Sequence, residues 1–132
     1  MKGRSGIKDE SGLKSALMRQ IKIGLPGFVA LRHEDVRTSG IPDLSLTRYG
    51  RTSWWEFKHA APNFVSSGIQ ELTMLRLATA GRAWYVVWHE YGSLKETLIV
   101  RPKNLKALTP EASCMKFNHL FVIEFMRKVH GV

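Results

Sequence analysis

The sequence contains a single cysteine, Cys114, among its 132 residues. One cysteine cannot close an intrachain disulfide, and no Cys/His spacing resembles that of a zinc site. Disulfide-stapled secreted domains and zinc-binding modules are therefore excluded. A reducing, intracellular environment is the simplest expectation for such a chain.

Long hydrophobic runs are also missing. No apolar run approaches the roughly 18 residues that a membrane span needs, and residues 1–5 are not followed by the apolar block of a signal peptide. We therefore expect a soluble protein that is neither exported nor embedded in a membrane. The expected location is the cytoplasm, or the host cytoplasm if the chain is virus-encoded.

Acidic residues are scarce relative to basic ones. The chain has 11 Asp and Glu against 20 Lys and Arg, a formal net charge of +9, and its isoelectric point is about 10.1. Such an excess attracts polyanions. Nucleic acid is the commonest polyanionic partner of a small basic domain, although an anionic membrane surface or a need for solubility would produce the same count. The charge predicts a class of partner and not an activity.

The remaining composition is that of one globular domain. Hydrophobic residues make up 44% and charged residues 23% of the chain, both close to the globular average, which argues against a disordered tail and against a coiled coil. The length suits a single domain over residues 1–132, with a core over about 10–100 and a C-terminal extension over 101–132.

Apolar periodicity and turn signals predict the element order α-β-β-β-α-β. Thr109-Pro110-Glu111 is typical of a helix start, whereas residues 117–129 are apolar nearly all round and fit either a helix or a strand. The order predicts an α/β fold with a mixed central sheet flanked by helices, followed by the C-terminal extension. The predicted elements are a helix over about 10–21, strands at 28–33, ending near 47 and at 53–58, a helix at 67–80, and strands at 84–88 and 94–100.

Two acids and a lysine on the predicted strands form the candidate site. Glu56 and Lys58 are two residues apart on one strand, so their side chains leave the same face about 6.7 Å apart. Trp55 and Phe57 then point the other way, into apolar packing. Asp43 lies in the preceding strand across a short turn, and pairing of the two strands can bring its carboxylate beside that of Glu56.

This arrangement favours a bound cation. Two ionised carboxylates about 4 Å apart repel by roughly 4 kcal/mol at an effective dielectric of 20, which favours either a raised pKa or a metal ion. Oxygen ligands select a hard ion, so Mg²⁺ fits and Mn²⁺ should substitute. Such an ion polarises a phosphate and lowers the pKa of a bound water, while Lys58 would orient that water and neutralise developing charge. The pattern predicts phosphodiester hydrolysis.

Glu10 adds a third acid. It shares the predicted helical stripe of Leu13, Leu17 and Ile21, which would point its carboxylate at the sheet. A charge on an apolar helix face needs a partner, and the metal-binding acids or Lys58 can provide one. Alternatively, Glu10 precedes the helix and is solvated there, and Asp9 is its nearest competitor for the role.

At this point a resemblance to a known group of enzymes becomes specific. The segments Gly40-Ile41-Pro42-Asp43-Leu44 and Trp55-Glu56-Phe57-Lys58 resemble the pattern of the PD-(D/E)xK nuclease superfamily. Gln70, in a predicted helix that is followed by the strand at 84–88, makes the chain similar in particular to the VRR-NUC family of virus-type replication and repair nucleases. The similarity covers about residues 10–90, and the segment after Val100 matches no pattern of the family.

The resemblance implies a restriction-endonuclease-like αβββαβ core and Mg²⁺-dependent cleavage of DNA. It implies Asp43, Glu56 and Lys58 as active-site residues, with Glu10 matching the acid of the first helix and Gln70 the glutamine of the second. Asp43, Glu56 and Glu10 would then hold the metal. Small stand-alone members are expected to act as homodimers on branched DNA such as Holliday junctions.

Each of these residues also has a plainer interpretation. Asp43 follows a proline and can bond nearby backbone amides in a turn. Glu56 and Lys58 can form an ordinary solvated ion pair worth under about 1 kcal/mol. Gln70 is the last residue of a predicted capping box that begins at Ser67, so its role can be limited to capping its helix, although capping is compatible with a role in the site.

Four arginines around the predicted hairpin and its approach are candidates for phosphate contacts, because the fields of four cations add. Ordinary surface charge is the alternative for each. The histidines near strand ends, His33, His59 and His89, are interpreted as surface or loop residues. The four arginines are Arg32, Arg37, Arg48 and Arg51.

The sequence thus predicts a homodimeric, Mg²⁺-dependent DNA endonuclease that acts on branched DNA. The alternative is a non-catalytic nucleic-acid-binding protein that retains the fold while its carboxylates hold no metal. A membrane-surface or protein-partner module would explain the charge but not the grouping of two acids with a lysine.

Overall fold

The computed structural model describes residues 8–33, 41–60 and 68–132, with side chains described for 10–33, 41–60 and 71–132. Within these residues, the predicted element order α-β-β-β-α-β is confirmed, and so is the strand predicted to follow it at 94–100. The elements are α1 (Leu13–Gly24), β1 (Val29–Arg32), β2 (Leu44–Arg48), β3 (Arg51–Ala60), α2 (Gly68–Ala80), β4 (Arg82–Tyr91), β5 (Leu94–Val100), β6 (Ala112–Cys114) and α3 (His119–Val129). A π-helical turn, Lys8–Gly12, leads directly into α1.

The six described strands form one mixed sheet in the order of the chain. Strands β3 and β4 run parallel, and α2 provides the crossover between them, whereas the other neighbouring pairs are antiparallel. The predicted fold class, a mixed sheet flanked by helices with a C-terminal extension, is confirmed.

Apolar side chains are buried on both faces of the sheet. On one face, Trp55 and Phe57 of β3 pack in a cluster with α1 and α3, and the ring of Trp55 stacks on that of Trp84 at 5.0 Å between centroids. On the other face, Met74 of α2 packs in a second cluster with β4 and β5. The alternation predicted for β3 is therefore correct. No helix in the described part of the chain is long and apolar enough to cross a membrane.

The turn between β2 and β3 sets the register that builds the site. Tyr49 and Gly50 both have positive φ, 51° and 77°, as a two-residue type I′ hairpin turn requires. Arg48 pairs with Arg51 at the turn, and the ladder continues outward to the pair of Leu44 with Trp55. The next position along the ladder places Asp43 opposite Glu56.

The C-terminal segment differs from one expectation. The helix start predicted at Thr109-Pro110-Glu111 is wrong, because the backbone N–H of Glu111 donates to Ile99 O at 2.8 Å and the chain continues as the edge strand β6. The segment left open at 117–129 is mainly helical: Asn118 caps α3 by accepting a hydrogen bond from the N–H of Phe121. Strand β6 and helix α3 belong to the same sheet and core as the preceding residues.

Candidate active site

Asp43 and Glu56 lie side by side, as the hairpin pairing predicts. The backbone N–H of Asp43 donates to Glu56 Oε1 at 3.1 Å, and the N–H of Phe57 donates to Asp43 Oδ2 at 2.9 Å. These bonds fix both carboxylates against the paired strands. Glu56 is 2% exposed, so its charge is held in a largely water-free position.

Glu10 joins the same group from the start of the helix. The backbone N–H of His59, next to Lys58 on β3, donates to Glu10 Oε1 at 3.1 Å. A π-helical turn, rather than the α-helix itself, carries Glu10, and its side chain reaches the sheet as predicted. Each of the three acids therefore uses one carboxylate oxygen to accept a hydrogen bond from the backbone.

The second oxygen of each acid is paired with a lysine ammonium. Lys58 Nζ lies 3.4 Å from Glu56 Oε2. Lys14 Nζ lies 3.2 Å from Asp43 Oδ1 and 3.3 Å from Glu10 Oε2. The site thus consists of three oriented acids whose outward oxygens all face positive charge.

Burial and mutual repulsion determine the protonation of the site. Burial, followed by the nearby charge of Asp43, raises the pKa of Glu56 from 4.5 to about 7, despite the opposing effect of Lys58. Burial would lower the pKa of Lys14, but the charges of Asp43 and Glu10 outweigh it, and the pKa of the ammonium is raised. In the absence of another cation, the site is neutralised by two lysines and a proton that Glu56 gains near neutral pH.

The donor set suits a hard divalent ion, because the outward atoms of Asp43 and Glu56 are carboxylate oxygens held in place by the backbone. Mg²⁺ is commonly bound through one or two carboxylates together with waters and substrate phosphates. In the described part of the chain, no three His, Cys, Asp or Glu side chains are grouped closely enough to hold an ion by themselves. Glu10, the predicted third ligand, is connected to Asp43 through the ammonium of Lys14.

Three of the residues singled out in the sequence lie wholly or partly outside what the structure describes. Arg37 is outside the described residues, and Gln70 is placed at the start of α2 with its side chain outside them. The side chain of Asp9, the competitor of Glu10, is also outside them. The capping box and any contact between Gln70 and the acids therefore stay predictions.

The other predicted arginines do not form one cluster. Arg32 pairs with Leu44, close to Asp43 at the acidic end of the strands. Arg48 and Arg51 pair with each other at the hairpin turn, and Arg51 lies five residues from Glu56, about 17 Å along β3. The guanidinium of Arg48 is over the ring of Phe28, 5.4 Å from its centroid.

The three histidines take part in local contacts rather than in the acidic group. His33 Nε2 lies 2.9 Å from the Ser45 hydroxyl, and the ring of His33 stacks on Trp54. His59 pairs with Glu90 and His89 with Glu96. The contact of His59 with Glu10 is made by its backbone N–H.

A cavity of about 530 Å³ opens on the sheet between the β2–β3 hairpin and α2. Arg51, Trp54, Leu77 and Arg82 are among its lining residues. Trp54 is two residues before Glu56 and so leaves the same face of β3. It is partly exposed, whereas the other three tryptophans of the chain are buried. The cavity therefore opens on the face of β3 that also carries Glu56, on the hairpin side of that residue.

Lys14 is the residue of this site that the sequence interpretation missed. It follows Glu10 by four residues, the spacing at which oppositely charged side chains meet on a helix. That spacing is a usable signal for the Glu10 contact. The contact with Asp43 joins residues 29 apart in the chain, and it depends on how the helix lies on the sheet.

Comparison with solved structures gives matches, of which one is described by its extent of similarity. The chain is similar to a Holliday junction resolvase from Archaeoglobus fulgidus, an archaeal hyperthermophile, with a TM-score of 0.48 and 14% identity, over 67% of this chain and 75% of the archaeal one. No protein-family model matches the chain, and no curated protein matches it. The chemistry of the site must therefore be derived from its own side chains.

Proposed function

We propose that the protein is a Mg²⁺-dependent endonuclease that hydrolyses phosphodiester bonds in DNA. The observation that carries this proposal is the meeting of Asp43, Glu56 and Lys58, with one oxygen of each acid held by the backbone and the other facing positive charge. The sequence resemblance to PD-(D/E)xK nucleases involves the same three residues. Glu10 and Gln70 are proposed as further members of the site.

The metal would be held by Asp43 Oδ1 and Glu56 Oε2, with Glu10 available once Lys14 withdraws. When bound there, Mg²⁺ would supply Lewis-acid polarisation of the phosphate and a lowered pKa for the attacking water. Mn²⁺ should substitute, because the ligands are oxygen atoms and the waters and phosphate complete the shell.

The protein's own groups orient the reactants and hold the charges. Lys58, 3.4 Å from Glu56 Oε2, would hold the attacking water by a hydrogen bond and stabilise negative charge that develops on the phosphate. Glu56 would act there as a ligand of the metal, held by the backbone N–H of Asp43, and the attacking water would lose its proton to solvent. A new P–O bond forms to water, the P–O bond to one deoxyribose breaks, and the leaving oxygen is protonated by solvent.

DNA fits the charge and the shape of the neighbouring surface. The net charge of +9 favours a polyanion. The cavity, on the same face of β3 as Glu56, is lined in part by Arg51 and the aromatic Trp54, whereas the guanidinium of Arg82 donates to Val129 O at 2.7 Å. A strand with its cleavage point at Glu56 would pass Trp54 and reach the hairpin within about 17 Å. We propose this cavity as the path of the cleaved strand.

Replacing Arg51 with alanine tests that path. We expect Arg51→Ala to weaken metal-free DNA binding several-fold and to reduce the slope of log affinity against log salt by about one, because one phosphate contact is lost. The matched control is Arg76→Ala, which removes an exposed arginine of α2. Fluorescence anisotropy over a salt series provides the measurement, and identical slopes for the two variants would exclude Arg51 from the DNA path.

We further propose that the protein is a homodimer and that its substrate is branched DNA. A twofold dimer would supply two active sites, as paired cuts across a symmetric four-way junction require. In the described part of the chain, all strands belong to one sheet, and no separate module for recognising a base sequence is present there. We therefore propose selection by the shape of the DNA rather than by its sequence.

A panel of linear, flap and four-way junction DNA, each with Mg²⁺, with Mn²⁺ or with EDTA, tests the function directly. We expect metal-dependent cleavage that is fastest on a branched substrate, by a protein that is dimeric in light scattering. Equal rates of cleavage of all three substrates would contradict the proposed selectivity for branched DNA. Tight binding without cleavage under every metal condition would indicate the non-catalytic alternative.

A further inference from the structure

We infer that Lys14 is a built-in competitor for the metal: its ammonium holds Asp43 and Glu10 in the metal-free protein and must leave these oxygens before a divalent ion can use them. This inference depends on the proposed metal site and describes how loading of that site is regulated. It predicts that the protein without Lys14 binds divalent ions more tightly.

The position of the ammonium carries the inference. Lys14 Nζ lies 3.2 Å from Asp43 Oδ1 and 3.3 Å from Glu10 Oε2, and these oxygens are the ones not held by backbone amides. The side chain is 17% exposed, so the ammonium is partly withdrawn from water. The ammonium of Lys14 therefore lies between Asp43 and Glu10. These two acids would have to approach the same ion if Glu10 were its third ligand.

Lys14 and Lys58 differ in what they neutralise. Lys58 pairs with Glu56, whereas Lys14 connects two acids from separate elements, one before α1 and one before β2. A long, flexible lysine stem allows its ammonium to turn away when a stronger cation arrives. A divalent ion that displaces the ammonium must break its ion pairs with both carboxylates. The presence of Lys14 therefore lowers the affinity of the site for the metal.

The test is a Mn²⁺ titration of the full-length protein without DNA, followed by the electron paramagnetic resonance signal of free Mn²⁺. Lys14→Met should bind Mn²⁺ about tenfold more tightly than the unmodified protein, because one nearby positive charge is lost. Lys14→Arg keeps the charge and should bind with nearly the original affinity. Lys14→Gln provides a second neutral variant if Lys14→Met does not fold.

Lys22→Met is the matched control. Lys22 is exposed in the last turn of the same helix, eight residues and about 12 Å along the axis from Lys14. The Lys22→Met substitution removes the same charge as Lys14→Met, but at a distance from the site that exceeds the screening length of about 10 Å in 0.1 M salt. Its Mn²⁺ affinity should stay within about twofold of the original.

The outcomes separate this inference from the proposed function. Equal or weaker Mn²⁺ binding by both neutral Lys14 variants overturns the competitor role, whether or not the protein cleaves DNA. If the neutral Lys14 variants bind Mn²⁺ more tightly but the protein cleaves no DNA, the competitor role is supported and the proposed nuclease function is rejected. Absence of Mn²⁺ binding from every variant overturns the metal site and the inference together.

Discussion

Glu56→Gln and Lys58→Met should each lower the rate of Mg²⁺-dependent DNA cleavage by about a thousandfold or more. Glu56→Gln keeps an oxygen for the N–H of Asp43, which donates to Glu56 at 3.1 Å, but removes the negative charge that would hold the ion. Lys58→Met keeps most of the side-chain volume and removes the ammonium beside Glu56. DNA binding in EDTA should stay largely intact in both variants, because the arginines proposed to contact phosphates are unchanged.

The controls make the same chemical changes outside the site. Glu124→Gln alters an exposed acid of α3, and Lys106→Met alters an exposed lysine after β5, so both should cleave within about twofold of the original rate. Single-turnover cleavage of the preferred substrate in Mg²⁺ is the measurement. Retention of one-tenth or more of the rate by Glu56→Gln and by Lys58→Met would remove both residues from catalysis.

The part of the site formed by the hairpin could be predicted because short-range rules determine it. A two-residue turn at Tyr49 and Gly50 allows one register, and the period of two along a strand then sends Glu56 and Lys58 to one face. Asp43 follows as the partner of Glu56. The continuous apolar run of β4 was recognisable for a similar reason, since a strand covered on both faces needs no alternation.

The C-terminal segment shows where local signals fail. Thr109-Pro110-Glu111 has the residue types of a helix start, but the N–H of Glu111 bonds to Ile99 on β5 and its carboxylate pairs with Arg101. Both partners are ten or more residues away in the chain. The sheet edge thus overrides a local preference that is worth little by itself.

Lys14 was missed for a related reason. Its contact with Asp43 requires the docking of α1 on the sheet, which packs Leu17 and Ile21 into the core and leaves Lys14 facing the acids. Apolar periodicity identifies the buried stripe of a helix but does not say which strand end lies beside each polar residue. Arg32 lies at the end of the strands near Asp43, and Arg51 lies at the hairpin turn. This separation could be recognised only once the register of the strands was known.

Stability of the metal-free protein should fall as the pH rises from about 5 to about 8, and Glu56 should be the main cause. Its pKa is about 7 in the folded protein against an ordinary value of 4.5, so the folded state binds the proton more tightly than the unfolded state. The stabilisation is complete below pH 4.5 and is lost as the pH passes 7. The loss is up to about 3 kcal/mol, since one pKa unit corresponds to about 1.4 kcal/mol.

Glu56→Gln isolates this contribution, because the difference in unfolding free energy between variant and original cancels the groups that titrate in both. Asp43, Lys14, Lys58 and Tyr85 all face or neighbour Glu56, and they remain in the variant. Urea unfolding in EDTA should show Glu56→Gln gaining stability over the original protein between pH 5 and pH 8, with no such gain for Glu124→Gln. A constant difference over this range would mean that Glu56 keeps its ordinary pKa, and one that shrinks would mean that the pKa is lowered. The acid would then be ionised throughout, and the two lysines alone would balance the site.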